Sequence, residues 1–197
     1  MAPLGMTSVG IDTSLALHLN SWGIAHRTMT TIAAKDFVYA VIGLGLIWLG
    51  VKTYRGITPF SLIPFLRRGV IDGITILVIP VGIATLISEG ISQIYFRPRP
   101  FAALSGIQLL TPHSADGGMP SHHTVFMAAM ATAIYLHNKL VGLTLGVLTL
   151  LCGLARIAAG IHYPSDVLAG LAIGISIVVV INKLLKDGSW RNKKNIS

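Results

Sequence analysis

Between Lys139 and Lys183 the chain carries only two formal charges, Arg156 and Asp166, set among residues that otherwise read as two apolar runs. Runs of this length satisfy their backbone hydrogen bonds in a bilayer only as helices, and each reaches the roughly 20 residues a membrane crossing needs. Further apolar runs lie upstream, so the chain is expected to fold as a polytopic helical bundle. Composition agrees, with 53% hydrophobic and 11% charged residues and a mean hydropathy of +0.73, which excludes an ordinary soluble domain. No linker-like stretch and no internal repeat divides the 197 residues, so a single domain over 1–197 is expected. Cys152 lies inside an apolar run, which leaves neither a disulfide framework nor a cysteine metal site.

Residues from about Ile11 to Met29 mix Leu15, Leu17, Leu19, Trp22 and Ile24 with Asp12, His18, Asn20, His26 and Arg27. This segment is too polar to span and amphipathic enough to lie in the interface, so an interfacial helix is expected. The first span covers about Phe37 to Val51, extended by Thr31 to Ala34. After a loop containing Pro59, Pro64, Arg67 and Arg68 comes a long second span, about Gly69 to Phe96. The third opens at Pro120, a favourable first helical position, and reaches Tyr135. The fourth covers about Leu140 to Ile161, and the fifth runs from Pro164 to near Lys183. The expected class is therefore all-α, with about five transmembrane helices plus the interfacial one.

The formal net charge of +8 gains its meaning from location. Lys52, Arg55, Arg67, Arg68, Lys139, Lys183, Lys186, Arg191, Lys193 and Lys194 fall on one side, which the positive-inside rule makes cytoplasmic, together with the C-terminus. They read as topology determinants facing anionic lipid headgroups rather than a nucleic-acid surface. The start of the chain lacks the basic leader and apolar core of a cleavable signal peptide. By parity, the ends of spans two and four and the starts of spans three and five share the outer face.

Three polar clusters meet on that face: Arg97-Pro98-Arg99-Pro100, Pro120-Ser121-His122-His123, and Arg156 to Asp166, read RIAAGIHYPSD. Ionisable side chains at such depth are costly and are functional candidates by default. Guanidinium groups of Arg97, Arg99 and Arg156 suit phosphate oxygens, the Ser121 hydroxyl adds a donor, and two helix N-termini favour an anion. Histidines and Asp166 supply a nucleophile, a group to orient it and an acid for the leaving oxygen. Each residue has a plainer explanation alone: Asp166 as an offset to the helix dipole, Ser121 as a helix-start residue, Arg97 and Arg99 as interfacial anchors, His162 bonded to a carbonyl. Their joint arrival on one face favours the chemical reading. His122, His123, His162, Asp116 and Asp166 have the chemistry of zinc ligands, but three arginines around a cation would repel it. They supply the charge compensation a metal would bring, so neither metal nor cofactor is expected.

At these residues the chain resembles the type-2 phosphatidic acid phosphatase superfamily, a helical-bundle fold shared with vanadium haloperoxidases. The family pattern is Lys, six residues, Arg-Pro; then Pro-Ser-Gly-His; then Ser-Arg, five residues, His, three residues, Asp. Arg99-Pro100, Pro120-Ser121-x-His123, and Arg156, His162 and Asp166 match its parts over Ser92 to Asp166. The resemblance implies that His162 attacks phosphorus to form a phosphohistidine, Asp166 orients it, and His123 protonates the leaving oxygen. It further implies that Arg99, Ser121 and Arg156 hold the phosphoryl oxygens.

Three positions depart from the pattern: Ser92 stands for the Lys, His122 for the Gly and Ala155 for the Ser before Arg156. Arg97 is the nearest replacement for the lost charge, with Glu89 and Gln93 as accessory candidates, and His122 adds a second imidazole. The stretches IYFRPRPF, TPHSADGGMPSHHT and GIHYPSDVLAG are most similar to the bacterial bacitracin-resistance branch, the undecaprenyl-diphosphate phosphatases. The implied partner is a polyprenyl diphosphate lipid in the bacterial cytoplasmic membrane, hydrolysed on the outer face to recycle the carrier for cell-wall polymers; no obligate protein partner is legible. A phosphatase of phosphatidylglycerophosphate, phosphatidate or lipid A with the same machinery stays open, as does a non-catalytic lipid-binding or transport protein.

Overall fold

A computed structural model describes residues 6–54, 71 and 73–194, with side chains from Gly10 to Lys52 and then as far as Lys186. The loop with Arg55, Pro59, Pro64, Arg67 and Arg68, the expected start of span two at Gly69, and the side chains of Arg191, Lys193 and Lys194 lie outside this description. The described residues form helices α1 (Met6–Ala25), α2 (Arg27–Tyr54), α3 (Ile79–Ile94), α4 (Pro100–Ala103), α5 (His122–Tyr135), α6 (Lys139–Ala158) and α7 (Pro164–Lys194), and contain no strand. Among the described residues four stretches are long and apolar enough to cross a membrane: Arg27–Lys52, Ile74–Ile94, Lys139–Ala158 and Pro164–Lys186.

The expected third span differs from these. Helix α5 has only 14 residues, about 21 Å of rise, and its first helical residue is His122, with Ser121 as N-cap and Pro120 outside. It is the central strut rather than a lipid-facing span. Val125, Met127, Ala128, Ala129, Met130, Ala131, Ala133 and Ile134 are all buried, beneath α2, α3, α6 and α7. Lipid tails are as apolar as these side chains, so close packing rather than the hydrophobic effect must join helices here. Small residues provide it. A Cβ on Gly174 would come within 2.6 Å of Val125 O, and one on Gly170 within 2.9 Å of Ser121 O. This G-x-x-x-G spacing presses α7 against α5 where the second and third sequence clusters must meet.

Two local features shape the rest. The second span begins with a π-helical turn, Ile74–Val78, in which Ile79 N–H donates to Ile74 O. Pro80 brings no N–H and crowds the carbonyl four residues back, which a wider turn accommodates. After α6, Gly160 takes φ +78°, a conformation glycine adopts without strain, and a Cβ there would meet Gln108 O at 2.9 Å. That turn points the chain back toward α7 and carries His162.

Helix α1 matches the expected position of the interfacial helix, but Asp12 and Asn20 point inward. Asn20, 1% exposed, donates to Gln108 O and Ala158 O at 2.9 and 2.8 Å and accepts from Gln108 N at 2.9 Å. Ile11, Leu15, Trp22 and Ile24 face outward, together with Ser14, His18 and Ser21. The helix is thus docked on the ends of α6 and α7 by polar contacts, with a mixed apolar and polar outer side.

Candidate active site

Three loops and two helix ends converge around His162, which is 2% exposed. Its Nδ1 lies 2.9 Å from Gly118 O, a contact that places the proton on Nδ1 and leaves Nε2 as the nitrogen with the lone pair, which faces Arg99 Nη1. Burial first, then the fields of Arg156 and Arg99, hold the His162 imidazole well below its ordinary range, so the ring is neutral and nucleophilic. The expected orienting bond from Asp166 is replaced by this carbonyl. Asp166 Oδ2 stands 3.6 Å from Nδ1, ion-pair rather than hydrogen-bond distance, and instead accepts the backbone N–H of Tyr163 at 2.8 Å. Asp166 therefore fixes the turn that carries His162.

Arg99 reaches the nucleophile directly. Its Nη1 is 3.2 Å from His162 Nε2, its Nη2 donates to Gly117 O at 3.2 Å, and Nε and Nη2 both meet Asp116 Oδ1, at 2.8 and 2.7 Å. Burial raises the Asp116 carboxyl, but Ser114 and Arg99 outweigh it and hold the group below the usual range. Arg156 is 3% exposed and has no carboxylate partner among the described residues. Its Nη1 donates to Ala34 O at 3.2 Å, its Nη2 meets His113 Nε2 at 3.1 Å, and its Nε is buried without a partner. A buried cation bonded only to neutral groups is unstable until an anion arrives.

Ser121 is fully buried; its hydroxyl makes no cap bond with its own helix and only accepts from Thr124 Oγ1 at 3.0 Å. Its amide donates to Asp166 O, which ties the second cluster to the third. Val125 N–H donates to Ser121 O, so the amides of residues 122–124 begin the helix ahead of any intrahelical acceptor. His123 is half-buried on the first turn of α5, with Arg156, His162 and His113 as electrostatic neighbours.

Other predicted residues are placed differently. Arg97, expected to replace the family Lys, turns to the far side of Asp166: Nη1 meets Asp166 Oδ1 at 2.7 Å and Nη2 meets Asp12 Oδ2 at 2.6 Å. With two carboxylates and the Tyr163 ring 3.9 Å away, it is committed to the scaffold. The α7 N-terminus is not open to phosphate either, because Ser165 N–H donates to Asp12 Oδ1 at 3.0 Å. Ser92 bonds back to Glu89 O at 2.8 Å, and Gln93 donates to Glu89 Oε1 at 3.1 Å. Glu89 Oε2 faces His122 Nδ1 at 3.5 Å. These four residues form a polar rim on α3 and α5 and bring no cation to His162. Three site residues escaped the sequence reading: Asp12, His113 and Gly118. The HSADGG stretch before Pro120 was the only signal for the last two, since one loop delivers His113 to Arg156, Asp116 to Arg99 and Gly118 to His162.

A family model described as PAP2 superfamily matches residues 73–190. The chain belongs to the PAP2 superfamily. Over 159 residues it is 35% identical to the undecaprenyl-diphosphatase BcrC of Bacillus subtilis (strain 168), covering 79% of this chain and 75% of that one. Among solved structures it is similar to Aquifex aeolicus LpxE, with TM-score 0.54, 27% identity, and coverage of 70% and 84%. A PAP2-type phosphatidylglycerolphosphate phosphatase from Bacillus subtilis superposes with TM-score 0.62 over 92% of this chain and 88% of that one, at 19% identity, a likeness of fold. This PAP2 protein is thus an all-helical membrane protein, and its family and relatives make it a lipid phosphatase.

Proposed function

We propose that this PAP2 protein hydrolyses undecaprenyl diphosphate to undecaprenyl phosphate and inorganic phosphate through a phosphohistidine, without a metal, on the outer face of the cytoplasmic membrane. The observation that carries the reading is the Arg156 guanidinium, buried with no carboxylate and no Nε partner among the described residues, near a neutral His162. The likeness to BcrC supports the polyprenyl diphosphate as substrate. His162 Nε2 attacks the terminal phosphorus, and the bond to the bridging oxygen breaks as His123, which takes up a proton when the diphosphate brings its negative charge beside it, delivers that proton to the leaving oxygen. Arg99, Arg156, Ser121 and the first amides of α5 hold the equatorial oxygens. Water, deprotonated by His123, then attacks the phosphohistidine and releases phosphate, restoring both imidazoles. The positive-inside distribution of lysines and arginines supports the outward orientation.

The test is phosphate release by purified protein in detergent with EDTA, on farnesyl or undecaprenyl diphosphate, phosphatidylglycerophosphate and lipid A phosphate, for wild type and His162→Ala. Release from the diphosphate that survives EDTA and disappears in the variant is expected. Preference for a glycerolipid or lipid A phosphate would keep the mechanism and change the substrate. No His162-dependent release would overturn the phosphatase reading in favour of lipid binding or transport.

A further inference from the structure

Asp12 lies on α1, remote in sequence from every motif, yet it belongs to a polar network with three contacts of 2.6 Å. Its Oδ2 accepts from Arg97 Nη2 at 2.6 Å and from Ser165 Oγ at 2.6 Å, and its Oδ1 accepts from Ser165 N–H at 3.0 Å. The opposite arm of the same guanidinium, Arg97 Nη1, meets Ser165 Oγ at 2.6 Å and Asp166 Oδ1 at 2.7 Å. Asp166 is fully buried, and its other oxygen holds Tyr163 N–H and faces His162 Nδ1. The chain of contacts thus runs from the first helix to the nucleophile through one planar fork.

We infer that Asp12 is a positioning residue for the reaction at His162, acting through Arg97 on the Asp166 carboxylate. A guanidinium keeps its two arms in one plane, so pinning Nη2 to Asp12 fixes the direction from which Nη1 approaches Asp166. Without Asp12, Arg97 keeps its Nη1 contacts with Ser165 and Asp166 and its place over the Tyr163 ring, but Nη2 loses its anchor and the plane of the fork is no longer fixed. Asp166 then loses a fixed reference, and the turn at Tyr163 and His162 loosens with it. Asp12 also fills the α7 N-terminus, which keeps Arg97 and that helix end from competing with Arg99 and Arg156 for the phosphate. The docking of α1 by Asn20 holds the carboxylate in reach.

This inference rests on the phosphatase reading, and the experiment separates the two. Phosphate release from farnesyl diphosphate is measured for wild type, D12N, D12E, R97Q, R97K and the D12N/R97Q double variant, each checked for a cooperative melt. D12N is expected to lower kcat roughly 10- to 100-fold, the scale of a misplaced reacting group, while KM changes by less than about threefold. D12E restores most of kcat. Because both side chains act through one path, the double variant is no slower than R97Q. If D12N does not fold, R97K decides: it keeps the charge but not the fork, and a fall in kcat of at least about 10-fold is expected. An active wild type with D12N within about twofold of it, losses that multiply in the double variant, or an unimpaired R97K would each overturn the inference. A wild type inactive on every lipid phosphate would overturn the phosphatase reading and this inference with it.

Discussion

The Nδ1 atom of His162 sits 2.9 Å from the carbonyl oxygen of Gly118, so a backbone group rather than a carboxylate sets the tautomer of the nucleophile. Burial and the two arginines keep that ring below its ordinary pKa of 6.5. Nitrogen-15 spectra of histidine-labelled protein are expected to show a neutral imidazole, protonated on Nδ1, that stays neutral as pH is lowered through 6.5 and is missing in His162→Gln. Below pH 6.5 the unfolded chain binds this proton and the folded one does not, so this group lowers stability as the pH is lowered. A resonance titrating with a midpoint of 6.5 would contradict this environment.

Arg156 is expected to show opposite effects on activity and stability. Arg156→Met removes a buried cation that has no carboxylate partner among the described residues, so the stability of the ligand-free protein should match or exceed that of wild type, by up to about 2 kcal/mol. Activity should fall at least about 100-fold with the loss of a preorganised donor. Vanadate or phosphate should raise the melting temperature of wild type but not of the variant. A variant less stable than wild type would mean that the His113 and Ala34 contacts outweigh the cost of the buried charge.

His123 can be tested by changing the leaving group. A polyprenyl phosphate leaves as a fair anion, whereas a glycerolipid alkoxide must be protonated. His123→Gln should therefore depress hydrolysis of farnesyl diphosphate less than that of phosphatidate, while His162→Ala removes both. Equal losses from His123→Gln on the two substrates would rule out its role as the acid.

The contact of α7 with α5 makes a prediction about packing. Gly170→Ala puts a methyl 2.9 Å from Ser121 O, and Gly174→Ala puts one 2.6 Å from Val125 O. Each should cost about 1–3 kcal/mol of stability through overpacking. Gly170→Ala should also lower kcat, because Ser121 N–H holds Asp166 O at 3.0 Å and the two clusters would separate. Thermal unfolding and initial rates on both variants check the difference. An equal effect of both on kcat would detach the phosphate cradle from this interface.

The parts of this molecule that were legible in the sequence are those whose physics is local. Apolar run lengths placed the fourth and fifth spans within a few residues, while the first apolar helix starts at Arg27, well before Phe37, and the spacing from Arg156 to Asp166 set His162 between two helix ends. The 14-residue α5 read as a span because its alanines and methionines are apolar whatever surrounds them; only its neighbours show that it is enclosed. Arg97 illustrates the opposite limit. Its distance from Arg99 suggested a second phosphate ligand, but its direction is set by Asp12 and Asp166, 85 and 69 residues away. No periodicity in α1 announces Asp12 or Asn20, since inward polar residues beside outward leucines look like ordinary amphipathicity until the partner surface is known.

The bond from Ser165 N–H to Asp12 Oδ1 closes 153 residues of chain. A ribosome therefore exposes one end of the site near the beginning of translation and the other only after α6 has been inserted. Until then the Arg97 fork has Asp12 on one arm and neither Ser165 nor Asp166 on the other. The polar scaffold behind His162 therefore closes only when α7 joins α1.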